Sequence, residues 1–227
     1  IIMAYTGWTY KKKVKFDTTS SGAGVAGNVG GFPVLVRLSG SDFDFSQAAE
    51  NGEDIRFADC DGTELSYQIE RWDKTGQKAD IWVLVPQVDG DSNSDYIVMY
   101  WGNSTAASES DGHAVFETSN GFQGVWHLDD DTCGDSTSNG NDGTNYGASD
   151  AAGIIDRARD FVRSEEDRIK ISGSASKTLD ITGDEITVSC WLYPRDWGTG
   201  QHECYISKAT SHKQYQLWKD YGSPLKF

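Results

Sequence analysis

Residues 129–143 read Asp-Asp-Asp-Thr-Cys-Gly-Asp-Ser-Thr-Ser-Asn-Gly-Asn-Asp-Gly, a concentration of side-chain oxygens broken by glycines. Calcium collects about six to eight oxygens from carboxylates, amide and backbone carbonyls, and water. On that chemistry Asp135, Asn139, Asn141 and Asp142 are the candidate metal ligands, or the groups that support them, and the ion would be structural. The spacing is not that of an EF-hand loop, because no Glu closes the pattern at the required position. The same composition suits a loop whose Asx turns cap its own backbone. Calcium and turn chemistry therefore both stand open. Residues 89–95 (Asp-Gly-Asp-Ser-Asn-Ser-Asp) offer a weaker cation candidate and read more simply as a hairpin loop.

A second chemistry comes from aromatic side chains. Exposed Trp and Tyr rings stack on the C–H faces of sugars while neighbouring polar groups take the hydroxyls. Trp197, in the loop Arg195-Asp-Trp-Gly198, is the leading ligand-binding candidate, with Trp191 and Tyr193 beside it. Core packing is the competing reading for Trp191, as it is for Trp82 and Trp126. Catalysis finds little support. Jelly-roll glycosidases place paired carboxylates along a strand to flank the scissile bond, and that spacing is absent. His113, His127, His202 and His212 are scattered without a metalloprotease or triad pattern. The expectation is a non-catalytic protein.

These residues must be positioned by strands. No segment has the period of a long amphipathic helix, and alternating or continuous apolar runs recur between Gly/Asp/Asn/Ser clusters. Runs at 8–16, 32–38, 54–58, 65–72, 79–85 and 96–101 read as strands, and 186–193, 204–208 and 215–218 continue the series. Asp59-Cys-Asp-Gly62 joins two of them as a hairpin turn. Residues 20–31 form a glycine-rich loop that lacks the Gly-Lys-Ser/Thr ending of a phosphate cradle. Residues 43–49 allow one short helical turn. In 186–193, Ile186, Val188, Cys190 and Leu192 share one face, and Thr187, Ser189, Trp191 and Tyr193 the other.

The chain has 227 residues, 35 acidic against 20 basic, and a net charge of −15, so its surface repels nucleic acid and anionic lipid. The run Lys11-Lys-Lys-Val-Lys15 lies in a strand pattern and reads as a solvated edge. No apolar stretch is long enough to predict membrane insertion. Four cysteines lack zinc-site spacing. Cys190 and Cys204, in successive strand-like runs, are the best-placed pair for a disulfide, against a reading of Cys190 as a small core residue.

Two resemblances follow from particular motifs. Trp8-Thr-Tyr-Lys11, Phe32-Pro-Val-Leu-Val36, Gly52-Glu-Asp-Ile-Arg-Phe57, Asp61-Gly-Thr-Glu-Leu65, Ile69-Glu-Arg-Trp72, Ile81-Trp-Val83 and Met99-Tyr-Trp-Gly-Asn103 occur in order. With them, residues 8–118 resemble a bacterial and archaeal domain family of unknown function. Val125-Trp-His-Leu128, the Asp135–Gly143 loop, Ala158-Arg-Asp-Phe161 and residues 186–192 resemble a laminin-G-like, concanavalin-A-type jelly roll. The expected fold is all-β: a β-sandwich-like domain over 1–118, then a laminin-G-like β-sandwich over 119–227. Such a jelly roll usually takes on the order of 150–200 residues, so the second unit is expected to be incomplete or finished by a neighbour. The resemblance implies an extracellular or cell-surface protein that binds a glycan or a surface protein ligand. The alternatives are a structural subunit of a filament or sheath that self-assembles through open sheet edges, and a domain of a polysaccharide-degrading enzyme.

Overall fold

The computed structural model describes residues 4–129, 132–173, 175–195, 203–209, 213–219 and 225–226. The fold is all-β, with antiparallel sheets and only short 3-10 turns among the described residues. Two compact units divide the chain, Ile1–Lys170 and Ile171–Phe227.

In the first unit the strands are β1 (Tyr10–Lys15), β2 (Val29–Ser39), β3 (Arg56–Ala58), β4 (Glu64–Leu65), β5 (Tyr67–Asp73), β6 (Lys78–Val88) and β7 (Tyr96–Trp101). They form two sheets, ordered β1-β7-β3-β4 and β2-β6-β5. Alternation decides which side chains face the space between them. On β6, Ala79, Ile81, Val83 and Val85 are each at most 1% exposed, and Asp80, Trp82 and Leu84 take the other face. Ile55, Phe57, Ile97 and Met99 are fully buried in the same core. Burying one such side chain contributes about 1.5–3 kcal/mol, so this cluster dominates the stability of the unit. Phe43, Phe45, Trp72 and Trp101 close one end as an aromatic cluster.

The expected hairpin forms: Phe57 pairs with Leu65, and Gly62 turns the chain at φ +96. The run read as one strand over 65–72 is split, however. Leu65 ends in one sheet and Tyr67 begins the other, which a single periodicity cannot reveal. The helical turn appears as Phe45–Gln47, with Asp44 accepting from the Ser46 amide.

The residues quoted for the first resemblance build the scaffold. Asp54, 1% exposed, accepts from the amides of Ala49, Gly102 and Asn103. Arg56, 2% exposed, donates to the carbonyls of Glu53, Ile55 and Ala107 and to the Tyr67 hydroxyl, and pairs with Glu109 at 2.9 Å. Gly52 has φ +74, and a Cβ there would meet Trp72 at 2.8 Å.

Residues 122–129 and 132–170 also belong to the first unit. They add β8 (Gly143–Tyr146), β9 (Ser149–Ala152), β10 (Arg157–Asp160) and β11 (Arg168–Ile171), paired β8 with β11 and β9 with β10. Part of this segment covers the outer face of the β2-β6-β5 sheet. Trp82 packs against Phe116 and His127, and Arg37 donates to the Ile154 carbonyl.

In the second unit, β12 (Glu203–Ala209), β13 (Lys213–Lys219) and β14 (Leu225–Lys226) make an antiparallel sheet in that order. Residues 186–193 have the expected alternation but join no ladder among the described residues. Alternation prepares a strand, and a hydrogen-bonding neighbour makes one. Cys190 and Cys204 are both free and exposed, so the expected bridge is absent.

Candidate functional site

The Asp/Asn/Gly loop folds around a single carboxylate. Asp135, 6% exposed, receives the amides of Val125 and Thr137 on Oδ1, and the Thr137 hydroxyl and Asn141 amide on Oδ2. Asp142 Oδ1 accepts from the Asp135 amide at 2.9 Å. Asn139 and Asn141 both donate through Nδ2 to the Gln123 carbonyl, and the Asn141 carbonyl accepts from Trp126 Nε1. The four residues named as calcium ligands thus meet in one network, and each has a protein partner. Four donors on two carboxylate oxygens use the acceptor capacity that a cation would need. Among the described residues no group of three or more His, Cys, Asp or Glu side chains is arranged to hold a metal.

Beside this loop lies a cluster whose members come from stretches far apart in the sequence. The β5–β6 pairing slips between Ile69 and Arg71, leaving Glu70 as the extra residue of a β-bulge. Bulges re-aim side chains, and here the Glu70 carboxylate is turned under cover, with 3% of its side chain exposed. Its Oε2 accepts from Trp82 Nε1 and sits 3.0 Å from His127 Nδ1. His127 Nε2 lies 3.1 Å from Gln68 Oε1, and Gln68 Nε2 lies 3.0 Å from Ser136 Oγ. A continuous polar chain, Trp82–Glu70–His127–Gln68–Ser136, therefore links sheet to loop. A neutral His127 that donates from Nδ1 to Glu70 accepts at Nε2, and the chain then closes with the Gln68 NH2 toward His127 and its oxygen toward the Ser136 hydroxyl.

Gln68 and His127 of this polar chain form one wall of a cleft of about 340 Å³ in the first unit. Ser110, Asp111 and His113 form a second wall, and Asp129, Thr132 and Ser136 a third. Gly112 lets the walls approach, since a Cβ there would meet Gln68 Oε1 at 2.8 Å. On the same sheet face, Asp80 is buried between Arg37 and Arg71, and Arg71 also faces Asp156 at 3.9 Å. Burial raises the Asp156 carboxyl above its ordinary value, opposed by Arg71 and reinforced by the charges of Asp129, Glu70 and Asp80.

The aromatic candidates lie in the second unit. Trp191 is 75% and Tyr193 93% exposed, against the core-packing reading of Trp191. Trp191 borders a depression of about 490 Å³ lined by Val188, Cys190, Leu192, Leu217 and Leu225. Trp197 lies outside the described residues. In the same unit Tyr205 is pushed up to about 12, by burial first and then by the Glu203 carboxylate that accepts its hydroxyl.

Arg56, Glu70 and Trp82 lie within motifs quoted above, and the comparison with protein families falls on the same stretch. Residues 51–131 match a domain of unknown function, DUF2341. The matched span contains the buried Asp54 and Arg56, the bulge at Glu70, and Trp82 and His127. It ends short of Asp135. No curated protein and no solved structure matches the chain.

Proposed function

We propose that this chain is a non-catalytic module of an extracellular or cell-surface protein, acting in carbohydrate recognition or adhesion. One observation carries the reading: the presentation of Trp191 and Tyr193 to solvent in the second unit. Large aromatic side chains gain by burial, and leaving two of them bare one residue apart is costly unless a ligand covers them. Rings i and i+2 on an extended segment suit a sugar chain, each stacking on one pyranose face. The resemblance of the later residues to laminin-G-like jelly rolls points the same way, since those domains commonly bind glycans. Buried carboxylates that have protein partners, Glu70, Asp80 and Asp135 among them, support scaffolding over acid–base work.

A glycan array followed by calorimetry on the best binder tests this. The double variant Trp191→Ala/Tyr193→Ala is expected to weaken binding by roughly tenfold or more, on the scale of losing aromatic stacking. An array without a binder, or unchanged affinity in the double variant, sinks the reading.

A second reading is favoured by residues 186–193. Their alternating pattern lacks a ladder among the described residues, and Ile186 and Leu192 are 39% and 38% exposed. Such a segment accepts a strand from a second copy, as a filament or sheath subunit would. Light scattering across a wide concentration range decides it: a monomer throughout counts against strand sharing.

A further inference from the structure

We propose that the cleft walled by Gln68 and His127, by Ser110–His113, and by Asp129 and Ser136 binds a small neutral polyhydroxylated ligand, one or two sugar rings in size. The site is built by residues of the first unit and the Trp191/Tyr193 surface by residues of the second, so each reading is tested by its own variants.

The lining selects the ligand by what it contains and omits. Among the described residues no Lys or Arg lines the cleft, so phosphorylated or carboxylated ligands find no counter-charge there. Among the same residues no large apolar side chain lines it, which removes the usual basis for an apolar ligand. Instead, hydroxyls (Ser110, Thr132, Ser136), an amide (Gln68), imidazoles (His113, His127) and carboxylates (Asp111, Asp129, Asp135) converge from three stretches of chain. That mixture offers donors and acceptors together. A sugar hydroxyl both donates and accepts, and so uses both kinds. A hard cation uses only acceptors, and hydroxyl or N–H donors on the wall would oppose it. The volume of about 340 Å³ sits at the small end of ligand sites.

The walls are also held in place, which reduces the cost of ordering them on binding. Glu70 fixes the His127 ring at 3.0 Å, and Phe116 and Trp82 pack against that ring. Gln68 is pinned between His127 and Ser136. Asp111 Oδ1 accepts from the His113 amide at 2.9 Å, setting the turn that carries both side chains.

The test is amide chemical-shift mapping on the whole chain. The probes are glucose, galactose, mannose and N-acetylglucosamine, at concentrations on the order of 10 mM to suit weak binding. The expected result is saturable shifts at residues 110–113 and 132–136 with at least one of them. Glucose 6-phosphate is expected to bind more weakly than glucose. Asp129→Asn and His113→Ala alter the wall without touching the Glu70–His127 pair, and each should weaken the shifts roughly fivefold or more. Their own spectra report that the fold is kept. Trp191→Ala/Tyr193→Ala should leave these shifts intact. The proposal is overturned if no neutral sugar shifts the cleft amides, or if calcium chloride alone produces the same shifts. It is also overturned if both wall variants bind as the parent does.

Discussion

Replacing Asp135 by Ala separates turn chemistry from metal binding in the loop after Trp126. The carboxylate holds three backbone amides and one hydroxyl, and two of those amides belong to Thr137 and Asn141, both fully buried. Ala removes the side-chain acceptor of both buried amides. Each orphaned buried donor costs about 1–3 kcal/mol, so two of them put the loss at about 2–6 kcal/mol. Asp135→Asn keeps one oxygen for the Val125 and Thr137 amides but turns an NH2 toward the Asn141 amide, and should cost about half as much. Urea unfolding followed by tryptophan fluorescence measures both variants, with and without millimolar calcium. Hydrogen exchange at Val125, Thr137 and Asn141 localises the effect. The reasoning is refuted if Asp135→Ala costs under about 1 kcal/mol. It is equally refuted if calcium stabilises the parent protein and Asp135→Ala abolishes that gain, since the carboxylate would then serve the ion.

Two further outcomes follow from buried charge. Arg56→Met strands the Ala107, Glu53 and Ile55 carbonyls and the Tyr67 hydroxyl while Glu109 stays in solvent, and is expected to cost about 1–3 kcal/mol or more in urea unfolding; a loss below about 1 kcal/mol would show that these groups re-pair. Asp156 has a raised folded pKa, so its protonated form favours the folded state, and that contribution is lost as pH rises through the folded value. Asp156→Asn should therefore gain on the parent protein as pH rises above the ordinary carboxylate range and match it in acid. Denaturation curves at several pH values check this, and a variant less stable at neutral pH would show that the Arg71 attraction outweighs burial.

Local pattern made some of this legible. Alternation along β6 assigns Ile81 and Val83 to the core, and the Asp-Gly turn after Ala58 predicts the hairpin. The crowding of Asp135, Asn139, Asn141 and Asp142 announces a loop organised by side-chain oxygens. The strand expected over 186–193 has its pattern without a paired neighbour among the described residues, because pairing depends on residues distant in sequence. Trp191 shows the same limit: an alternating face says where a ring points relative to its neighbours, and only the packed chain says whether anything covers it.

Composition and period two, read from the chain alone, determined an acidic all-β protein with an oxygen-rich loop, because side-chain alternation and turn propensity are properties of adjacent residues. Tertiary structure alone decided which carboxylate the loop folds around and where Glu70 points. It set Glu70 on a bulge, under Trp82 and against His127, and joined Gln68 to His127 across 59 positions. Such contacts depend on the registry of two strands and on the path of a covering segment. No run of neighbouring residues records either.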